Sequence, residues 1–360
     1  MKNKLRSGYS TGTCVTLAVK ACLIQLFDNK EPSSVGVFIP TGEFVEYEVY
    51  NLYKDENLAK ASVTKDGGDD PDDTHGLEIG CSVTLIEKKE IVFKRGVGIG
   101  LVTLPGLSLD VGEPAINPTP REMITKLLYK EAFKNRYEGG FIVEPFVPEG
   151  EEVAKKTFNP RVGIVGGISI IGTTGVVKPY SSDAFVASIE QGIRVLQENG
   201  GIHAILNSGG RSEKYVQKRF PDYSSLSYVQ YGNFIGESLK IIAHSRIEKV
   251  TICIMLGKAV KLAQGHLDTH SHKVQFSPEW LSSLAEACGY DKRVQSEIQS
   301  ISLAGQLPSI IPMNASSVFY QQIIRECYGV CKPLLNGQEL DVILVSKEGM
   351  LIECEIPYDY

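Results

Sequence analysis

The sequence has no run of lysine and arginine, and its 360 residues carry a formal net charge of −6. Nucleic-acid binding normally needs a basic patch, so no nucleic-acid partner is predicted. No apolar stretch approaches the length of a membrane span, and the basic residues at the start are not followed by the apolar core of a secretory signal. These absences predict a cytoplasmic protein without a membrane partner.

Cysteine pairs with the spacing of a metal or redox motif are also missing. The eight cysteines are scattered, and the closest two, Cys327 and Cys331, lack the usual two-residue spacing. We therefore expect reduced thiols that pack as small buried hydrophobic side chains.

The chain is too long for one ordinary core, which predicts two domains. Hydrophobic residues make up 42% and charged residues 22%, the balance of a soluble globular protein. A polar, proline-bearing stretch follows a strand-like run near residue 140. We place the boundary there, with one domain at 1–150 and the other at 151–360.

The first half mixes predicted helices and strands, which indicates a mixed α+β domain. Apolar spacing and turn residues predict a helix at 11–27, a hairpin at 35–50, a strand at 77–86, an extended glycine-rich segment at 95–107 and a helix within 112–133. Thr11 or Thr13 can cap the first helix. Thr119 as cap, with Pro120 after it, marks the start of the last.

The second half alternates strands with helices. Strands are predicted at 161–167, 202–210, 225–232 and 249–258, helices at 182–201 and 233–245, the second capped by Asn233, and a closing hairpin at 341–356. Such alternation predicts a doubly wound α/β domain with a largely parallel sheet. The fold class is therefore α/β and α+β in two domains, with ligands expected at the carboxyl ends of the parallel strands.

The segment GGISIIGTTG at 166–175 is a candidate ligand loop. Gly167 and Gly172 have the spacing of a phosphate-cradling loop, but Thr173 stands where the lysine should be, which argues against a nucleotide triphosphatase. Its N–H groups and hydroxyls could line a cavity for a nucleoside-type ligand or a carboxylate. A tight glycine connection without a ligand explains the pattern equally well.

The segment 257–273 offers a candidate anion site. Gly257 and Lys258 follow a strand and open a helix, and Lys258 and Lys261 share one helix face. The same segment contains polar groups that could ligate a metal: His266, Asp268, His270 and His272. A cluster of surface histidines without a metal is the simpler alternative.

The segment VTKDGGDDPDDTHG at 63–76 contains five aspartates, with Lys65 and His75 among them. It lacks the alternation of a calcium loop. A turn in which aspartates bind backbone N–H groups is one interpretation. Crowded carboxylates also raise some of their pKa values, as a general base requires, and their number favours a functional loop.

The segment GEPAINPTPRE at 112–122 places Asn117 and Arg121 on either side of two prolines. Arg121 would lie in the first helical turn, the unfavourable end of the helix dipole for a cation. This position indicates a carboxylate ligand or partner. A rigid helix entry with a surface arginine is the alternative.

Taken in order, six segments resemble one protein family. They are RSGYSTGTC, KDGGDDPDDTHG, GVGIGLVTLPGL, GEPAINPTPR, PEGEEVAKKTFNPRVGIVGGISIIGTTGVVKP and GKAVKLAQGHLDTHS, and they lie between Arg6 and Ser271. The chain resembles the CbiD family of cobalt-precorrin-5B (C-1)-methyltransferases of anaerobic cobalamin biosynthesis. The resemblance departs at Met255 and Leu256, where the family usually has a glycine, often with a histidine.

The resemblance implies S-adenosylmethionine as methyl donor and a corrinoid substrate that brings its own cobalt, with no protein metal site. A non-catalytic corrinoid-binding protein and a metal-dependent hydrolase using the Asp and His clusters remain alternatives. A homodimer stays open as well.

The implied roles divide the candidate residues into three groups. The carboxylate-bearing substrate, on the side of residues 1–150, would meet Arg6, Thr11, Thr13, Lys65, Asn117, Arg121, Lys258, Lys261, His270 and Ser271. S-adenosylmethionine, on the side of 151–360, would meet Gly166, Gly167, Gly172, Thr173, Thr174 and Gly175. Catalytic roles would fall to Asp66, Asp69, Asp70 and His75.

Overall fold

The computed structural model describes residues 5–271 and 273–354. The chain divides into two compact units, Met1–Ser182 and Asp183–Tyr360. Residues 151–182, which the sequence analysis placed in the second domain, lie in the first unit. Two short strands in this stretch pair with strands from the first 102 residues, so the stretch belongs to the first fold.

The first unit consists of short strands and a few helices. Its strands are β1 (Gly8–Tyr9), β2 (Ser34–Phe38), β3 (Phe44–Glu48), β4 (Tyr50–Lys54), β5 (Leu58–Thr64), β6 (Glu78–Ile86), β7 (Ile91–Phe93), β8 (Leu101–Val102), β9 (Gly140–Phe146), β10 (Ile164–Val165) and β11 (Val176–Val177). Its helices are α1 (Thr11–Asp28), α2 (Pro118–Lys134) and α3 (Gly150–Ala154).

The main sheet of this unit has the strand order β4-β5-β6-β9-β7 and is antiparallel except for the β7–β9 pair. The predicted hairpin at 35–50 is confirmed as β2–β3. Alternate residues of β5 and β6 belong to one apolar core with α1 and α2, namely Ala59, Ala61, Val63, Ile79, Cys81 and Val83. The mixed α+β prediction is confirmed.

Helix α1 corrects two expectations. Ser10, rather than Thr11 or Thr13, is the cap, and its hydroxyl accepts the Thr13 N–H at 3.2 Å. The 18-residue helix is also long and apolar enough to cross a membrane by length and composition, contrary to the expectation that no such stretch exists. Most of its residues are buried in the core of the first unit, as in the core helix of a globular fold.

Helix α2 begins two residues before the predicted start. Asn117 occupies the cap position, and Pro118 and Pro120 lie in the first turn. Proline needs no N–H there, so the two prolines fit the first turn without a lost hydrogen bond. The first backbone bond of the helix runs from the Arg121 N–H to the Asn117 carbonyl, at 3.1 Å.

The second unit alternates strands and helices. Its helices are α4 (Ser182–Glu198), α5 (Gly210–Arg219), α6 (Ile235–Ala243), α7 (Leu256–Ala263), α8 (Pro278–Ala287), α9 (Lys292–Gln299), α10 (Leu307–Ile310) and α11 (Val318–Cys331). Its strands are β12 (His203–Asn207), β13 (Tyr228–Gln230), β14 (Lys249–Met255), β15 (Glu339–Val345) and β16 (Leu351–Ile352). Phe234, not Asn233, holds the cap position of α6.

The sheet of the second unit has the order β13-β12-β14-β15-β16, parallel except for β16. A large apolar core lies on one face under α4, α6, α7, α8 and α11, and a smaller one on the other face includes Val216 of α5. The doubly wound prediction is confirmed. The chain leaves β12 toward one edge and β14 toward the other, so the strand order reverses between these two strands.

The cysteine prediction is confirmed for burial at six positions, and the reduced state of the thiols stays a prediction. Six of the eight cysteines are buried, and Cys288 and Cys354 are partly buried. Burial raises the pKa of the Cys14 thiol and of the Cys331 thiol to about 12, which keeps both protonated at neutral pH.

Candidate functional site

The Asp-rich loop, residues 65–76, is bound through its backbone to the segment that precedes α1. Arg6 and Asp69 exchange two hydrogen bonds, from the Arg6 N–H to Asp69 Oδ2 at 2.6 Å and from the Asp69 N–H to the Arg6 carbonyl at 2.9 Å. The backbones approach so closely that a Cβ on Gly8 would lie 2.1 Å from the carbonyl carbon of Gly67. Glycine is therefore required at residue 8.

Asp66 lies at the centre of this contact. Its carboxylate accepts both terminal nitrogens of the Arg6 guanidinium and the Gly68 N–H at 2.9 Å. These hydrogen bonds lower the pKa of Asp66 to about 2, against the rise that carboxylate crowding predicts. Asp66 thus stays ionised at neutral pH and is a weak base.

Lys65 is 2% exposed and forms an ion pair with Asp72 inside the loop. The other Asp72 oxygen accepts the Thr74 N–H at 2.8 Å and the Thr74 hydroxyl at 2.6 Å. Although burial opposes it, the Lys65 ammonium lowers the pKa of Asp72. The structure directs the Lys65 charge inward rather than toward solvent.

Of the predicted catalytic residues, Asp69 and His75 are exposed and Asp70 is partly exposed, so these three lie at the accessible edge of the loop. Asp70 Oδ1 accepts the Tyr180 N–H at 2.9 Å, and His75 Nδ1 accepts the Gly67 N–H at 2.9 Å. Because Nδ1 acts as an acceptor, the proton of the neutral imidazole lies on Nε2. His75 therefore presents a hydrogen-bond donor at the surface.

The 166–175 loop lies against the start of α1. Thr11 Oγ1 accepts the Ile171 N–H at 2.8 Å, and the Thr13 hydroxyl donates to the Gly175 carbonyl at 2.8 Å. The Gly12 N–H donates to the Ile171 carbonyl at 2.9 Å. The two threonines predicted to bind substrate are thus engaged with the loop predicted to bind the methyl donor.

Packing alone accounts for several glycines of this loop. Gly172 has φ of 132°, and a Cβ there would lie 2.2 Å from Ser10 Oγ. A Cβ on Gly167 would lie 2.3 Å from the Gly98 carbonyl oxygen. Thr173 and Thr174 are exposed, and the Thr174 hydroxyl bonds to the backbone of Val176. The assignment of this loop to a ligand stays a prediction.

Arg121 closes the turn that leads into α2. Its Nε donates to the Ile116 carbonyl at 2.8 Å, its Nη2 donates to Glu113 at 2.6 Å, and the guanidinium lies 5.3 Å from the centre of the Phe93 ring. The Asn117 side chain makes no capping hydrogen bond. Arg121 and Asn117 were both predicted to bind substrate. The Arg121 side chain bonds the turn before α2, whereas the Asn117 side chain does not hydrogen-bond the first turn of that helix.

Arg95 is a residue that the sequence analysis missed. Its Nε donates to the Ile99 carbonyl at 2.7 Å and its Nη2 to the Gly166 carbonyl at 3.1 Å. It thereby links two glycine-rich segments that lie about 70 residues apart in sequence. Its position directly before the glycine-rich GVGIG is the sequence feature that could have indicated this role.

In the second unit, Lys258 lies at the carboxyl edge of the parallel sheet. Its ammonium donates to the Ser208 carbonyl at 2.9 Å and to the Gly232 carbonyl at 2.5 Å, which follow β12 and β13. Burial, and then the charge of Lys261, lower the pKa of Lys258 to about 8. The predicted anion-binding lysine is therefore a fixed, half-buried amine.

Other residues of the 257–273 segment meet at the same edge. Lys261 is 9% exposed and donates to the Thr269 carbonyl at 3.4 Å, while the Thr269 N–H donates to the Asn233 carbonyl at 3.1 Å. The His270 N–H donates to Asp268 at 3.1 Å, and Ser271 is exposed.

Those suggested metal ligands that the structure describes do not form a metal-binding cluster. The Asp268 carboxylate pairs with Lys273 at 2.7 Å, and His272 lies outside the described residues. Within 5–271 and 273–354, no three His, Cys, Asp or Glu side chains are grouped so that they could hold a metal ion.

Comparisons with known proteins identify relatives along most of the chain. The family model CbiD matches residues 1–179, and the model "CbiD, C-terminal domain" matches residues 268–355. The chain is 40% identical, over 98% of its length and 97% of the relative's, to a cobalt-precorrin-5B C(1)-methyltransferase of Prosthecochloris aestuarii. It is 37% identical, over 96% of its length and 95% of the relative's, to the protein of that name in Priestia megaterium.

A solved structure is also similar. It is a cobalamin biosynthesis protein (cbiD) from Archaeoglobus fulgidus, 30% identical, covering 75% of this chain and 83% of that one, with a TM-score of 0.40.

Proposed function

Because this chain belongs to the CbiD family, we propose that it transfers a methyl group from S-adenosylmethionine to ring carbon C-1 of cobalt-precorrin-5B, giving cobalt-precorrin-6A in anaerobic cobalamin biosynthesis. The observation that carries the proposal is the match to methyltransferases of that name over nearly the whole length of both chains. A cytoplasmic location and a homodimer stay predictions.

The reaction is an in-line displacement. The nucleophilic ring carbon forms a bond to the methyl carbon while the bond from methyl to sulfur breaks. The electron pair stays on sulfur, and neutral S-adenosylhomocysteine leaves. The protein has to align the two reactants and keep water out, because proximity and orientation alone lower such a barrier substantially.

The Asp-rich loop is proposed to position the substrate rather than to remove a proton. Asp66 is held by Arg6 and is a weak base, and the Lys65–Asp72 pair lies inside the loop. His75 offers an N–H donor at the surface, which suits a carboxylate of the corrinoid. Asp69 and Asp70 hold the edge of the loop through backbone N–H groups.

The test is a methyl-transfer assay with the purified chain, methyl-labelled S-adenosylmethionine and cobalt-precorrin-5B. We expect label in the corrinoid and a gain of one methyl mass, with S-adenosylhomocysteine formed in equal amount. A matched reaction without corrinoid is the control. Corrinoid binding without label transfer would contradict the proposal and favour the non-catalytic binding protein.

The metal-dependent hydrolase makes a different prediction. It requires a stoichiometric metal in the chain purified without added metal, and activity that a chelator removes. Methyl transfer that is unaffected by a chelator, in a chain that carries no such metal, would exclude it.

A further inference from the structure

The carboxyl edge of the parallel sheet has the geometry of a ligand site at the point where the strand order reverses. Ligands of doubly wound sheets bind outside the carboxyl ends of the strands at this point. Here β12 is followed by Ser208 and Gly209, and α5 begins directly at Gly210. Among the described residues, the N–H groups of Gly209, Gly210 and Arg211 donate to no other group. A Cβ on Gly209 would meet no atom within 4 Å, so space is open beside the loop.

Two buried polar atoms at this edge have no partner. Asn207, the last residue of β12, is 0% exposed, and its Oδ1 accepts no hydrogen bond although its amide nitrogen donates to the Ile205 carbonyl. Thr269, 2% exposed and bonded through its backbone to Asn233 and Lys261, has an unpartnered hydroxyl. Buried polar groups are nearly always paired, so these two indicate a missing hydrogen-bonding partner.

The edge also carries fixed charges of both signs. An ammonium has three donors, and Lys258 uses two of them on the carbonyls of Ser208 and Gly232, which leaves one. The buried Glu213 carboxylate lies in the first turn of α5 and accepts the side-chain amide of Gln230, the last residue of β13, at 2.9 Å. The remaining Lys258 donor suits a ligand carboxylate, and the negative charge of Glu213, which is already hydrogen-bonded, favours a cationic centre nearby.

We propose that this carboxyl edge, rather than the 166–175 loop, holds S-adenosylmethionine. Lys258 binds the methionyl carboxylate, Glu213 offsets the sulfonium charge, and Asn207 with the Ser208–Gly210 segment faces the adenosyl group. This inference rests on the proposed methyltransferase function. The Thr174 hydroxyl, the Ile171 N–H and the Gly175 carbonyl of the 166–175 loop are already bonded within the first unit, which leaves that loop fewer groups for a ligand.

The first test is calorimetric titration of the full chain with S-adenosylhomocysteine. Gly209→Val fills the open space beside the loop at a position whose extended backbone tolerates a side chain. Its matched control is Gly329→Val on α11, which also meets no atom within 4 Å. We expect Gly209→Val to raise the Kd at least about tenfold and the control to leave it unchanged.

The 166–175 loop is tested in parallel with Thr173→Val and Thr174→Val. Both side chains are exposed, so folding is preserved. Gly172→Val is unsuitable because its side chain would collide with Ser10. Normal binding by both threonine variants supports the inference. Loss of binding in either one, or native affinity in Gly209→Val, overturns it.

A second test isolates the role of Lys258. Lys258→Met should weaken S-adenosylhomocysteine at least about tenfold but leave 5′-methylthioadenosine, which lacks the methionyl carboxylate, within about twofold of native affinity. A purely structural role of Lys258 would weaken both ligands equally and would overturn the carboxylate assignment.

The outcomes separate the inference from the function it rests on. A native chain that neither binds S-adenosylhomocysteine nor transfers methyl sinks the proposed function and the inference together. A native chain that does both, while Gly209→Val binds normally, leaves the function standing and removes only this location for the donor.

Discussion

At the scale of single residues, the ionisable groups of the Asp-rich loop are governed by their individual partners and not by their number. Crowding alone predicts raised carboxylate pKa values. Arg6 instead lowers the pKa of Asp66 to about 2, and Lys65 lowers that of Asp72. The turn interpretation of the sequence therefore describes the backbone of this loop, and the functional interpretation is confined to its exposed edge.

The buried Lys65–Asp72 pair leads to a stability prediction. Lys65→Met removes the partner of a mostly buried carboxylate, and we expect a loss of about 3 kcal/mol in the free energy of unfolding. Urea denaturation at pH 7 measures it. Lys60→Met, at an exposed position of β5, is the matched control and should change stability by less than about 0.5 kcal/mol. Equal values for the two variants would contradict the structural role of Lys65.

The Arg6–Asp66 pair leads to a pH prediction. Because the folded state lowers the pKa of Asp66 from 3.8 to about 2, its contribution is present above pH 3.8 and is lost as the pH falls toward 2. Native protein should therefore be more stable than Arg6→Met at neutral pH, and the difference should shrink between these values. Urea midpoints measured across that range test it, and a pH-independent difference would contradict the pair.

Variants of Asp69 and Asp70 can distinguish the contribution of negative charge from that of hydrogen bonding. Asp69→Asn and Asp70→Asn keep an oxygen that can accept the Arg6 and Tyr180 N–H groups, whereas alanine does not. If the loop positions substrate, the asparagine variants should keep turnover within about threefold and the alanine variants should lose about tenfold or more in kcat/KM. Full turnover in normally folded alanine variants would show that this edge has no part in the reaction.

At the scale of elements, α5 is a helix that no sequence pattern predicted, and its two sides have different roles. Its buried side closes the smaller apolar core of the second unit through Val216. Its outer side borders a cavity of about 690 Å³, and the residues that line this cavity are Arg211, Lys214, Tyr215, Gln217 and Lys218. No carboxylate among the described residues pairs with its three cations, although the whole chain is acidic.

This cationic surface suits a ring that carries many carboxylates. We expect the double variant Lys214→Glu, Lys218→Glu to raise KM for the corrinoid about tenfold, with little change in KM for S-adenosylmethionine, because opposite charges steer and hold the substrate. Steady-state kinetics at two salt concentrations measure the effect. The matched control reverses Lys292 and Arg293 on α9 and should leave both constants unchanged. Equal effects of the two double variants on KM for the corrinoid would show that the change comes from the net charge of the protein and not from this surface.

At the scale of the whole molecule, the division of the chain follows strand pairing and not composition. The predicted boundary after residue 150 would separate β8 from β10 and β1 from β11. It would also remove Ile168 and Ile170, which are buried in the core of the first unit. The polar stretch that suggested a linker instead contains α3 and a short helical turn.

This division makes a prediction about fragments. Residues 1–182, produced alone, should unfold cooperatively in urea, whereas residues 1–150 should lack a cooperative transition because they cannot complete the core. Circular dichroism and urea titration of both fragments test it. A cooperative transition in the shorter fragment would place the boundary where the sequence analysis put it.

The sequence by itself determined most of the elements, though not α5, and the fold class, because apolar periodicity, glycine turns and proline starts are local properties of the chain. It also determined which segments to examine, since the family resemblance is carried by contiguous residues. Only the tertiary structure decided which of their polar groups are free. Thr11 binds residues 158 and 160 positions away, Arg6 binds a carboxylate 60 positions away, and Lys258 binds carbonyls 50 and 26 positions away. Such pairings depend on how the strands are ordered in space, and a pattern of neighbouring residues does not contain that order.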